Sequence, residues 1–371
     1  MVNALPQILR AEAYQPGKPI EELAREIGIS PERIIKLASN ENPLGMSPQA
    51  RQAAVDAMHD SALYPDGNGF HLKQALCEHL KVEENNLTLG AGSNEILDLV
   101  ASVFLSAGTS AVYSQYSFAV YAQATLRVAA DGISVPAKDY GHDLDAMLKA
   151  IRDDTRVVFV ANPNNPTGTF IDEKPLLDFL SKVPASVLVV LDEAYYEYLP
   201  AARQYNTVDW IKQFPNLIVA RTFSKAYGLA GLRVGYSISH PDIADYLNRI
   251  RSPFNVSTVA QAAAVAALAD VDFCNATREV NLAGLQQFST GLGALGIRTL
   301  PSCGNFILAE FGETAGAVNA YLLKNGVIVR PMGRYGLKHW LRISVGLPEQ
   351  NRRLLDLLDL ADSPLRGQQS R

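Results

Sequence analysis

The chain is poor in several features, and each lack excludes something. Only three of its 371 residues are cysteine (Cys77, Cys274 and Cys303), far apart and without C-x-x-C or ligand-like spacing. That argues against a disulfide scaffold and a zinc site, and it suits a reducing, intracellular setting. Excess charge of one sign is missing too. With 33 Lys and Arg against 38 Asp and Glu, the net charge is −5, which does not suit a dedicated binder of nucleic acid or anionic membrane. No run reaches the ~20 apolar residues of a membrane helix. The nearest, Val256–Ala269, is shorter, carries Ser257, Thr258 and Gln261, and reads as a buried helix. The start, MVNALPQILRAEAY, has no long apolar core behind basic residues, so no secretory signal is expected and the expected location is the cytoplasm. There is no internal repeat, no low-complexity segment and no GxxxxGK[ST] loop.

What is present is an ordinary globular composition, 48% hydrophobic and 19% charged, in a chain long enough for two domains. Between residues 86 and 238, short β-rich runs alternate with loops and amphipathic stretches. The runs are Leu87–Leu89, Ala111–Ser114, Ile133–Val135, Val157–Ala161, Val187–Leu191, Leu217–Arg221 and Val234–Ile238. Most are almost wholly apolar, as in strands covered on both faces of a mainly parallel sheet. Glu95–Leu105, Phe118–Val128 and Lys174–Leu180 supply helices between them, giving an α/β domain. After Pro241 helical segments dominate, then short strands and a final helix near Glu349–Leu360, the pattern of a smaller α+β domain. The expected division is an arm over 1–45, a large domain over 46–250 and a small domain over 251–371.

Ligands of open parallel sheets bind beyond the carboxyl ends of the strands. Gly90-Ala91-Gly92-Ser93-Asn94-Glu95 follows the first run and opens a helix, whose free N–H groups suit an anion, although Ser93 or Asn94 would serve equally as a simple cap. No GxGxxG stands there. Asn162-Pro163-Asn164-Asn165-Pro166-Thr167-Gly168 follows another run and reads, on its own, as a tight loop. A further run ends in Asp192-Glu193-Ala194-Tyr195, and a carboxylate there calls for a cation or donor, with helix capping an even alternative. Thr222-Phe223-Ser224-Lys225 follows the next. A lysine among small residues just past a buried strand has its pKa lowered and its amine made nucleophilic, and Arg233 nearby suits a phosphate. Taken together, the four strand ends describe a site for pyridoxal 5′-phosphate: a lysine for its aldehyde, a carboxylate for its ring nitrogen, donors for its phenolic oxygen and a phosphate cradle. Tyr116, after Ala111–Ser114, is placed to stack on the ring.

TFSKAYGLAGLRVGY resembles the lysine-site signature of the class-II, fold-type I aminotransferases. AYQPGKPIEELARE, KLASNENPLG, YPDGNG, LGAGSNEIL, ANPNNPTG, LDEAYYEY and RPMGRYGLKHWLRISVG extend the likeness from Tyr14 to Gly346, and it is narrowest to the histidinol-phosphate aminotransferase family. The resemblance implies the fold-type I architecture of pyridoxal-phosphate transferases, with a mainly parallel seven-stranded sheet in the large domain and a smaller α+β C-terminal domain. It implies that Lys225 bonds to the cofactor aldehyde and then shuttles the proton, with Asp192 on the ring nitrogen and Asn165 and Tyr195 on the phenolic oxygen. Ser93, Asn94, Ser224, Arg233 and, more weakly, Thr222 would hold the phosphate. Tyr64 would reach the neighbouring subunit's cofactor phosphate in a homodimer with shared active sites. Arg342 would bind the substrate anion, helped by Arg330 and by Tyr14 from the partner's arm.

The implied reaction is transamination between L-histidinol phosphate and 2-oxoglutarate, giving imidazole acetol phosphate and glutamate in histidine biosynthesis. An aromatic amino-acid aminotransferase and a threonine-phosphate decarboxylase stay open on the same motifs. A regulatory pyridoxal-phosphate module would need a fused basic segment, which the chain does not have. No metal site is expected: His71 and His79 lie on one helix without a third ligand, and His59, His142 and His240 read as surface residues.

Overall fold

The computed structural model describes residues 2–13, 17–360 and 362–365. All seven β-rich runs enter one sheet, as strands Leu87–Gly90, Ser110–Ser114, Asp131–Val135, Thr155–Ala161, Leu188–Asp192, Leu217–Thr222 and Gly235–Ser239. Their spatial order, from one edge, is 87–90, 235–239, 217–222, 188–192, 155–161, 110–114, 131–135. Only Gly235–Ser239 runs against its neighbours. Successive side chains of a strand point to opposite faces, and both faces here are covered. Thus Val158, Val160, Val189 and Leu191 enter one core, while Val157, Phe159, Leu188 and Val190 enter another.

A second, antiparallel sheet holds Arg330–Pro331, Trp340–Ser344, Phe306–Glu310 and Arg298–Thr299 in that order. Helices Val271–Ala294, Ala315–Lys324 and Pro348–Asp359 cover it, around a third core that includes Phe288, Val318, Ile343 and Leu354. Two residues of the N-terminal segment, Ile35–Lys36, pair in parallel with Val327–Ile328, so this segment is stitched to the small unit.

The packing moves the division expected at residue 250. Helix Thr258–Ala269 lies against Pro48–Ala57 and Phe70–Leu80, and its Ala260, Ala263, Ala264, Ala267 and Leu268 belong to the large core. Small side chains allow this close approach, and the alanine-rich run left its partner unmarked in the sequence. The chain turns by 79° before Val271–Ala294, whose Phe288 and Leu292 belong to the small unit's core. The second helix starts at Val271 because the Asp270 side chain accepts a hydrogen bond from the Phe273 N–H and caps it. Among the described residues no single helix is long and apolar enough to cross a membrane.

Candidate active site

Carboxyl ends of the large sheet's strands form the floor of an open cleft, walled on the far side by Arg330, Tyr335 and Arg342 of the small unit. Asp192, the last residue of its strand, is buried at 5% exposure. Its Oδ2 accepts a hydrogen bond from the Tyr121 hydroxyl at 2.8 Å and its Oδ1 accepts from the Ala194 N–H at 3.2 Å. Burial pushes its carboxyl up, opposed by these donors and by the charge on Lys225. No arginine or lysine pairs with it directly among the described residues. A buried carboxylate of this kind is stabilised by a cation arriving in the cleft.

Lys225 lies just past strand Leu217–Thr222, and its Nζ donates to the Ser39 carbonyl at 3.3 Å. Burial, then the positive charge of Arg342, lowers its pKa to about 8 against the opposing pull of Glu41. An amine in that range is neutral often enough to act as a nucleophile or base at ordinary pH.

At one end of the cleft helix Ser93–Phe104 begins behind Gly92, with no side-chain cap on its first N–H groups. Arg233 lies over this terminus, donating from Nη1 to the Ser224 hydroxyl at 3.0 Å and from Nη2 to the Ala91 carbonyl at 3.2 Å. Gly92 is required there: its φ is +83°, and a Cβ would lie 2.2 Å from Arg233 Nη2. The Thr222 hydroxyl accepts from the Ser224 N–H at 3.1 Å and shapes the same corner. Free N–H groups, a hydroxyl and a guanidinium around a position with no room for a side chain make a phosphate-sized anion site.

The opposite wall comes from the small unit and the N-terminal segment. Arg342 donates from Nη1 to Asn165 Oδ1 at 2.6 Å and from Nη2 to the Ala38 carbonyl at 2.8 Å, with its guanidinium over Phe306. Arg330 stands opposite Arg342 in the paired strands and lines the same cleft. The Tyr195 hydroxyl accepts from Asn40 Nδ2 at 2.9 Å, and burial pushes Tyr195 up to about 12. Asn40 is held in turn by Ser344 and by Asn305.

Eleven of the expected site residues therefore line one cleft: Ser93, Asn94, Asn165, Asp192, Tyr195, Thr222, Ser224, Lys225, Arg233, Arg330 and Arg342. Tyr116 does not. It packs with Tyr140, Leu308 and Trp340, and Phe118, two residues on, is the one that lines the cleft. Ser117 closes the intervening turn by donating to the Ser114 carbonyl, which sends positions 116 and 118 to different surroundings. Tyr64 is 83% exposed, stacked on Phe254 at 4.7 Å and away from the cleft. Tyr14 lies outside the described residues. His142 is no surface residue: its Nδ1 is buried, its Nε2 accepts from the Ala161 N–H, and burial lowers it to about 4. Among the described residues no group of His, Cys, Asp or Glu is placed to hold a metal ion.

Asn40, Phe118, Tyr121 and Tyr335 also line the cleft and were not singled out from sequence. A signal existed for two of them, since Phe118 and Tyr121 are three residues apart in a stretch read as helical. The donor set suits pyridoxal 5′-phosphate. It offers an anion corner with no room for a Cβ, a buried carboxylate lacking a cation and a lysine of lowered pKa.

Three comparisons bear on this cleft. The model of the aminotransferase class I and II family matches residues 32–358. The chain is 57% identical to histidinol-phosphate aminotransferase 1 of Thiobacillus denitrificans, over 100% of this chain and 96% of that protein. It is 55% identical to the histidinol-phosphate aminotransferase of Methylobacillus flagellatus, over 95% of this chain and 96% of that one. Among solved structures, the histidinol-phosphate aminotransferase of Sinorhizobium meliloti in complex with pyridoxal-5′-phosphate superimposes with a TM-score of 0.89 at 30% identity, covering 99% of both chains.

Proposed function

The chain belongs to the class I and II aminotransferases, and on that basis we propose that it transfers an amino group from L-histidinol phosphate to 2-oxoglutarate, yielding imidazole acetol phosphate and glutamate in histidine biosynthesis. The observation that carries the chemistry is the convergence of Lys225, Asp192 and the Arg233 corner in one cleft faced by Arg342. The substrate reading rests on the relatives, which match over almost their full length.

Pyridoxal 5′-phosphate is the cofactor, and it supplies a cationic ring that withdraws electrons from the carbon bearing the transferred nitrogen. The N–H groups of Ser93 and Asn94, the Ser224 hydroxyl and Arg233 hold its phosphate, with Thr222 in support. Asp192 holds the proton on its ring nitrogen, and Tyr121 keeps the Asp192 carboxylate ionised and aimed. Asn165 and Tyr195 donate to its phenolic oxygen. Lys225 is the residue that would hold its aldehyde, and its Nζ would move the proton at the substrate carbon. Arg342 and Arg330 bind the substrate's anionic end, and a guanidinium fork accepts a phosphate monoester or a carboxylate in turn.

Holoenzyme assayed with alternative amino donors tests this reading. Histidinol phosphate is expected to exceed phenylalanine and tyrosine in kcat/KM by at least about tenfold, a difference of ~1.4 kcal/mol in transition-state binding. The reverse order, or release of carbon dioxide from threonine phosphate, would overturn it.

The reading includes a homodimer in the cytoplasm. Its support is an apolar surface around Met58, Leu63, Tyr64 and Phe254, each at least 45% exposed. Tyr64 would complete the partner's phosphate site. Mixing Tyr64→Ala with Lys225→Ala protein under subunit exchange should restore up to about a quarter of wild-type activity, because half the dimers are hybrid and one of their two sites is whole. No recovery, with exchange confirmed by mass, would place Tyr64 in its own subunit's site, and wild-type activity of Tyr64→Ala alone would place it outside catalysis.

A further inference from the structure

Asp139 and Tyr140 form a two-residue turn between Lys138 and Gly141, which exchange hydrogen bonds of 3.2 and 2.8 Å. Both central residues have positive φ, 50° and 64°. Glycine is the usual occupant of the second place in such a turn, and a side chain there is strained. A glycine stands one position later, at Gly141, so the aromatic ring is kept at a local expense.

The ring has a defined place. It stacks on Tyr116 at 6.0 Å and meets Trp340 at 5.1 Å, and the Arg298 guanidinium lies 5.6 Å from both Tyr140 and Trp340. Tyr116 and Tyr140 come from the large unit; Trp340 and Arg298 come from the small unit's sheet. Trp340 is two residues before Arg342 on one strand, so both side chains leave the same face, while Leu341 and Ile343 enter the small core. The circuit closes on the other side: Asn164 Nδ2 donates to the Tyr116 carbonyl at 2.6 Å, and its neighbour Asn165 accepts from Arg342.

We propose that the ring of Tyr140, wedged between Tyr116 and Trp340, is the spacer between the two units that positions Arg342 for the anionic end of the substrate. Tyr140 touches neither cleft nor substrate, so it is a positioning residue. The inference rests on the proposed role of Arg342, and it makes the two central contacts of the circuit interdependent. Without the ring, the strand carrying Arg342 settles differently against the loop carrying Asn165.

Tyr140→Gly separates the ring from the turn, because glycine relieves the backbone while removing the spacer. In the holoenzyme this variant should melt no lower than wild type and hold its cofactor as tightly. Its KM for both substrates, and its calorimetric Kd for 2-oxoglutarate, should rise about tenfold with kcat within threefold, since a tenfold change corresponds to ~1.4 kcal/mol of binding. Tyr140→Phe should behave as wild type, and Trp340→Leu should reproduce the glycine variant. Kd and KM within twofold of wild type in a folded Tyr140→Gly protein would overturn the proposal, as would a loss confined to cofactor binding or melting temperature. Calorimetry with 2-oxoglutarate reports on the spacer even if histidinol phosphate is not the amino donor. Failure of the substrate reading is therefore distinguishable from failure of this one.

Discussion

Lys225→Ala is expected to leave a folded protein with essentially no turnover, down by at least about 10³-fold, because one side chain both bonds the cofactor and moves the proton. The amine lies beyond the strand end with a single hydrogen bond to the Ser39 carbonyl, so its loss disturbs little packing. Borohydride treatment of the wild-type holoenzyme should fix the cofactor on the peptide containing Lys225, and mass spectrometry would identify it. Cofactor found on another lysine would remove the assignment. The lowered pKa makes a second, pH-resolved statement. With Lys225 near 8, about one amine in ten is neutral at pH 7, and the neutral fraction grows tenfold per pH unit until it saturates. The initial rate of cofactor capture by the apoprotein should therefore climb up to about pH 8 and then level off. A climb that continued to pH 10 would mean an amine with the ordinary lysine value.

Asp192→Asn should retain the cofactor yet lose about 10²-fold or more in kcat, the scale set by removing one preorganised charge from a site that excludes water. The substitution is nearly isosteric, and the amide oxygen still accepts from Tyr121, so what changes is the charge. Proton occupancy at the ring nitrogen, read by ¹⁵N NMR of labelled cofactor, should fall together with kcat. Near-normal turnover in this variant would end the argument for a carboxylate–pyridinium pair.

Most of this architecture is legible in the sequence because local pattern decides it. Seven strands buried on both faces leave seven apolar runs, and chemistry at strand ends leaves polar or small residues just after them, as at Asp192 and Lys225. What the sequence hides is long-range. Asn40 sits in an extended stretch with no periodicity, and its worth comes from Tyr195, Asn305 and Ser344, 155 to 304 residues away. That Phe118 rather than Tyr116 lines the cleft turns on the course of a four-residue turn, which no periodicity specifies. Helix Thr258–Ala269 packs on the large unit, which its alanine-rich face does not reveal until Pro48–Ala57 lies against it.

Stitching of the N-terminal segment to the small unit has a consequence for how the protein is made. Leu37 bonds through its backbone to Ile328 and Ser344, and Asn40 bonds to Ser344, 304 residues downstream. At a synthesis rate of roughly 5–20 residues per second, about 15–60 seconds separate the emergence of Asn40 from that of its partner. Every strand of the large sheet has by then left the ribosome, whereas the wall bearing Arg342 has not. A nascent chain paused before Ser344 thus holds Leu37 and Ile35 without the small unit they pack against, a ready handle for a chaperone and a liability in its absence.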